Sequence, residues 1–248
     1  MKKTTFLFGL GLMLSFAALN AGANEHLLRH VQALGQSMSA MFMVGLSHGN
    51  EKYIRELEFY SRSADGYLQQ YIEGNGLGHE SLNASWVRIK DQIKVEYRED
   101  YEWDPDERFR RAFRAHQTEA YGLVEEQIST YNTAPLNALL RSTQVETMTG
   151  RFFDISTGHK GTLALTPNDV DKVDLHIMSA QLKEALNKLA GATHDDALKR
   201  KLKSALLKWE FIEKSVVDYS GLGAHYVVYA TKNHITKVLS DNTLLTWN

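Results

Sequence analysis

Two residue pairs repeat one chemical pattern at one spacing. Arg29 and Gln32 lie three apart, and Arg141 and Gln144 repeat both the residue types and the interval. On a helix, positions three apart share a face. A guanidinium beside a carboxamide can hold a carboxylate or another planar anion, with the arginine engaging it as a bidentate fork. The blander alternative is that each arginine pairs with a neighbouring carboxylate on the surface, which contributes little. The binding reading requires Arg29 or Arg141 to line a concave pocket with apolar walls. These four residues are the candidate ligand-binding set.

Other chemistry is sought with less return. His26 and His30 are four apart and could face one metal from a helix, but no carboxylate motif accompanies them. A b-type haem needs axial ligands such as Met and His on facing helices. Met38 with His225 or His234 can be drawn, yet nothing in the sequence selects that pair. The cluster Met38, Met41 and Met43 reads as adaptable core filling. There is no H-E-x-x-H, P-loop or GxGxxG. The absence of cysteine excludes disulfides, thiolate metal sites, c-type haem attachment and a cysteine nucleophile. No catalytic residue, metal ligand or cofactor is therefore assigned. The basic run from Lys199 to Lys203 is interrupted by Leu202 and reads as a solvated helix face.

The elements that must position these residues are helices. The chain has 248 residues, 43% of them hydrophobic and 23% charged, and only 3 prolines. That is ordinary globular usage with room for long helices. A net charge of -2 gives no general reason to expect nucleic acid or acidic lipid as a partner. Lys2 and Lys3, the apolar run Phe6 to Leu19 and Ala21-Gly22-Ala23 form a signal peptide, with cleavage expected after Ala23. The run is short for a membrane span. No later segment has 18 consecutive apolar residues, so no transmembrane segment is expected in the mature chain. The mature protein is expected in the periplasm or outside the cell.

The strongest periodic stretch runs from Thr193 to Gly221. Leu198, Leu202, Ala205, Trp209, Ile212, Val216 and Tyr219 alternate at four and three, the seam of a helix packed lengthwise on others. Thr193 is the expected N-cap and Gly221 the expected stop. Similar stripes predict helices from Asn24 to Leu46, Glu51 to Glu73 and Ser81 to Tyr101. A fourth starts at Asp104-Pro105-Asp106-Glu107, with His116 and Gln127 as polar residues on its seam. A fifth runs from Pro135 to about Gly150, and residues 151–165 read as irregular. A sixth starts at Thr166-Pro167-Asn168-Asp169 and ends at Gly191. The last runs from Ala224 to Leu239. Trp86 and Trp209 are expected in the core.

The halves of the chain resemble each other. Leu27-Leu28-Arg29-His30-Val31-Gln32 matches Leu139-Leu140-Arg141-Ser142-Thr143-Gln144, and a Phe follows in each, Phe42 and Phe153. Trp86-Val87-Arg88-Ile89 matches Trp209-Glu210-Phe211-Ile212. The fold expected is all-α, an elongated helical bundle. The repeat admits two tandem four-helix units, residues 24–132 and 133–248, after a signal peptide over 1–23.

Ala33-Leu34-Gly35-Gln36-Ser37-Met38-Ser39, a tryptophan in the third helix of each half, and Val227 to Ser240 together resemble a known family. It is the N-terminal sensor domain of type IV pilus methyl-accepting chemotaxis transducers. The resemblance implies a non-enzymatic sensing module. In related nitrate and nitrite sensor domains, arginines of the first helix bind the anion. Gln36 and Ser37 stand where such arginines would be, so that ligand is not carried over. The function expected is an exported, non-enzymatic bundle that binds a small ligand or a periplasmic or membrane partner protein. The alternative is a metal- or haem-binding bundle in electron transfer or metal handling.

Overall fold

The computed structural model describes residues 4–75, 79–93, 107–156, 174–218 and 224–240, with the backbone alone given for 4–21, 23, 75 and 107. Eight α-helices account for nearly all of these residues, and no strand occurs among them. They are α1 (Thr4–Leu46), α2 (Glu51–Asn75), α3 (Glu80–Ile89), α4 (Glu107–Glu126), α5 (Ala134–Ser156), α6 (Leu175–Ala192), α7 (Asp196–Val217) and α8 (His225–Leu239). Short 3-10 turns follow α3 and α4. The fold is an all-α helical bundle, as the stripes imply. His225 to Thr231, which has strand-like composition, lies in α8 because its apolar residues keep the helical interval.

Each half uses its first helix as a hub. In the first half α1 packs on α2 and α4, and α3 packs on α4. In the second, α5 packs on α6, α7 and α8, α6 on α7, and α7 on α8. The hubs α1 and α5 lie against each other and run parallel. Thr143 Oγ1 donates to the Leu28 carbonyl at 3.1 Å and Gln32 Nε2 donates to Ser142 Oγ at 2.7 Å. Farther along, Gly35 meets Glu146 and Gly150 backbone to backbone. A Cβ on Gly35 would stand 2.3 Å from the Glu146 carbonyl oxygen, and one on Gly150 would stand 3.0 Å from Gly35 Cα. Only glycine permits this approach.

That crossing corrects one expectation. Gly150 does not end the fifth helix. It lies inside α5, which continues to Ser156, so Arg151, Phe152, Phe153 and Asp154 are helical and buried. A glycine that serves a close helix contact carries the same sequence signal as a glycine that stops a helix. A second correction concerns α7. Its N-cap is Asp195, whose carboxylate accepts from the Ala197 and Leu198 amides at 2.7 and 3.2 Å. Thr193 instead follows the end of α6, and its hydroxyl accepts from the Asp195 amide. An aspartate at the cap satisfies two amides and complements the helix dipole. A third concerns the fourth helix, whose regular part ends at Glu126, leaving Gln127 in the turn. The cap signals at 104–106 and 166–169, and Tyr219 and Gly221, lie outside the described residues.

The two tryptophans anchor equivalent places and both are fully buried. Trp86 Nε1 donates to Asp65 on α2 at 2.7 Å, and Lys90, four residues on, pairs with the same carboxylate. Trp209 Nε1 donates to Ser179 on α6 at 2.9 Å, and Glu213, four residues on, pairs with Lys183. The indole anchor is kept in both halves, while the accompanying ion pair has its signs exchanged between helices. Met38, Met41 and Met43 are core residues.

The signal-like segment is continuous with α1 in the backbone, through residues 21–23 to Thr4. Asn24, the first residue after the expected cleavage point, is buried and donates to Thr130 Oγ1 at 2.9 Å. Among the described residues no helix is long and apolar enough to cross a membrane.

Candidate functional site

Arg141 projects from the second turn of α5 into a cavity of about 390 Å³ between α5 and α6. Asn132, Ala134 and Asn137 line it from the start of α5. Gln181, Glu184, Ala185, Lys188, Leu189 and Ala192 line it from the middle and end of α6. The guanidinium is bonded to carboxamides. Its Nη1 donates to Gln144 Oε1 at 2.9 Å and its Nε reaches Asn137 Oδ1 at 3.4 Å. Gln144 is itself oriented by donating to Gln181 Oε1 at 3.0 Å and to the Tyr121 hydroxyl at 3.3 Å. Its carbonyl is thereby aimed at the arginine. Burial pushes the Arg141 pKa down, while Tyr121 and Glu184 push it back up. Burial pushes Tyr121 up to about 12, so its hydroxyl is neutral and can accept from Gln144.

A partly desolvated guanidinium with no carboxylate among the described residues in ion-pair contact can donate to a bound anion. Its charge is worth more in a partly dry site than in water, and its unused N–H groups favour a planar partner. Neutral amides hold it in place without neutralising it.

Arg29 and Gln32 line a different cavity, of about 540 Å³, with Gly22, Glu25, Thr133, Pro135, Leu136, Leu139, Leu239 and Ser240. Its walls are more apolar, but its cation is already matched. Arg29 pairs with Glu25 one turn earlier at 2.8 Å, and its guanidinium lies 5.9 Å from the centre of the Tyr67 ring. Gln32 is occupied by Ser142. The four candidate residues thus fall in two places, with Arg141 lining one cavity and Arg29 and Gln32 another. The structure joins Arg141 to Gln144 directly, and gives Arg29 and Gln32 separate partners.

His26 and His30 on α1 do not converge on one point. His26 stacks on Tyr67, whereas His30 points inward. His30 Nδ1 donates to the Ala64 carbonyl at 2.8 Å, and its Nε2 lies 3.0 Å from His116 Nε2. His116 Nδ1 lies 2.7 Å from Ser85 Oγ. The Ala64 carbonyl can only accept. Neutral rings therefore allow one proton order: His116 Nε2–H donates to His30, and Ser85 donates to His116. Burial lowers His30 to about 4 and His116 to about 2, the neighbouring His30 adding to the effect on His116. Trp86 packs against both rings. Met38 is buried, while His225 is bonded to Ser156 and packed on Phe152 and Phe153. His234 is exposed. Among the described residues no group of three or more His, Cys, Asp or Glu converges as a metal site would.

Sequence reading missed the α6 side of the Arg141 cavity. Gln181, Glu184 and Lys188 recur at three and four on the face of α6 away from Met178, Leu182 and Leu186. That spacing identifies a polar face but not what it covers. The reading also missed a buried ion pair, Lys232 Nζ to Glu146 Oε2 at 2.8 Å. A third omission is Asp154, held by Arg110 at 2.8 Å and Arg114 at 2.6 Å. The chain matches no known family model, no curated protein and no solved structure.

Proposed function

We propose that the chain is an exported, non-enzymatic helical-bundle protein that binds a small planar anion at Arg141. The observation that carries this reading is a partly buried guanidinium lining a cavity and held by carboxamides, with no carboxylate among the described residues in ion-pair contact. Gln144 belongs to the site as the group that orients Arg141. Arg29 and Gln32 line the second cavity, where Glu25 already supplies the negative charge. Export rests on the N-terminal segment, and a sensing role rests on the resemblance of the first and last helices to transducer sensor domains.

The test is a thermal-shift screen of small carboxylates, nitrate and sulfate on the mature chain, with Arg141→Ala and Arg29→Ala as paired variants. At least one carboxylate is expected to raise the melting temperature of wild type and of the Arg29 variant. The Arg141 variant is expected to show no shift. A compound that stabilises all three proteins equally would remove Arg141 from the site.

A further inference from the structure

The Arg141 cavity carries charges of both signs. Glu184 lines it from α6 and is close enough to Arg141 for each charge to favour the ionised form of the other. The helix ends have the same polarity. Asn132 and Ala134 stand at the N-terminus of α5, where unpaired amides and the helix dipole favour negative charge. Leu189 and Ala192 stand in the last turn of α6, where the helix dipole and the terminal carbonyls favour positive charge. One wall therefore suits an anion and the other a cation, and side chains and backbone agree on which is which.

We propose, resting on the Arg141 reading above, that the ligand is a zwitterionic α-amino acid. Its carboxylate would lie on Arg141 and its ammonium toward Glu184. Ala134, Ala185, Leu189 and Ala192 supply apolar wall for a side chain, and a cavity of about 390 Å³ sits at the small end of the usual range. That favours a single amino acid with an aliphatic side chain. Glu184 is now paired with Lys188 at 2.6 Å, and both side chains are mostly exposed. An exposed pair of this kind contributes little, so a ligand ammonium can replace the Lys188 ammonium at small cost. Asn137 and Asn132 add amide oxygens that accept from an ammonium and cannot neutralise the arginine.

Isothermal titration of the mature chain at pH 7.5 and low salt tests this with L-valine, N-acetyl-L-valine and L-valinamide. L-Alanine and L-leucine complete the set. Free amino acids are expected to bind at least tenfold more tightly than either blocked form. Glu184→Gln should weaken the free amino acids about tenfold and leave N-acetyl-L-valine unchanged. Arg141→Ala should abolish binding of all carboxylates, with its circular dichroism spectrum unchanged. If N-acetyl-L-valine binds as tightly as L-valine and Glu184→Gln changes nothing, the zwitterion is overturned while the anion site at Arg141 stands. If no carboxylate, free or blocked, binds wild type, both fall.

Discussion

Arg29 and Arg141 share a local sequence and meet different fates, and the cause lies one turn away. Glu25 precedes Arg29 by four residues, an arrangement that pairs on any helix. The residue four before Arg141 is Asn137, so the amide there can orient the guanidinium but cannot discharge it. That difference is present in the sequence and separates the two candidates before any tertiary contact is known. The far wall of the cavity is not legible in the same way, because Gln181 and Glu184 meet Arg141 only through helix packing. The line of His30, His116 and Ser85 is hidden for the same reason. Its members come from α1, α4 and α3, and only His116 stands out, as a polar residue on an apolar seam. The buried histidines make a pH prediction. Their folded pKa values lie below the unfolded value of about 6.5, so the unfolded chain binds more protons as pH falls. Stability should be full above pH 6.5 and decline toward pH 4, by about 3 kcal/mol from His30 alone. Urea unfolding at pH 7.5, 5.5 and 4.5 measures it. A His30→Gln, His116→Gln double variant should show a visibly flatter dependence. An identical slope in both proteins would mean the histidines already titrate normally when folded.

Among the elements, amphipathic stripes place most of the helices, although the third, expected to run to Tyr101, is α-helical only to Ile89 and then turns 3-10. The larger exception is α5. From Ser142 to Asp154 every residue is buried, polar ones included. A helix covered on all sides has no solvent face to give it a stripe. Gly150 then reads as a stop, and the polar run that follows reads as a loop. What satisfies those polar groups comes from other helices: Lys232 for Glu146, Arg110 and Arg114 for Asp154, and Thr118 for Arg151. The crossing of α1 and α5 is the contact most sensitive to one atom group. Gly35→Ala places a methyl against a backbone carbonyl that no rotamer change can move. The helices must separate, and the expected cost is about 3 kcal/mol, at the upper end for overpacking. Gly66→Ala on α2 is the control, because a Cβ there meets nothing within 4 Å. It should be neutral or slightly stabilising, since alanine favours helix. Chemical denaturation of both variants decides the point. Equal stability of Gly35→Ala and wild type would mean the hubs do not approach this closely.

At the scale of the molecule, the repeat that suggests two four-helix units also supplies their joint. Its matched segments, 27–32 and 139–144, lie side by side on the hub helices, where Leu28 meets Thr143 and Gln32 meets Ser142. Further bonds cross the same boundary. Asp154 is held by α4, and Tyr229 donates to Glu56 on α2. Residues 24–132 expressed alone are therefore expected to lack a cooperative thermal transition as a monomer, because one whole face of α1 loses its cover. A monomeric fragment with a sharp transition would show that the first unit is a domain in its own right. Whether this bundle carries a small anionic ligand at Arg141 is decided by what the protein holds when purified from its native compartment. Native mass spectrometry with an absorption spectrum should show a small organic acid bound to wild type and to Arg29→Ala, absent from Arg141→Ala. A Soret band, a stoichiometric metal, or an adduct carried equally by the Arg141 variant would mean that the bundle does not hold its ligand through Arg141.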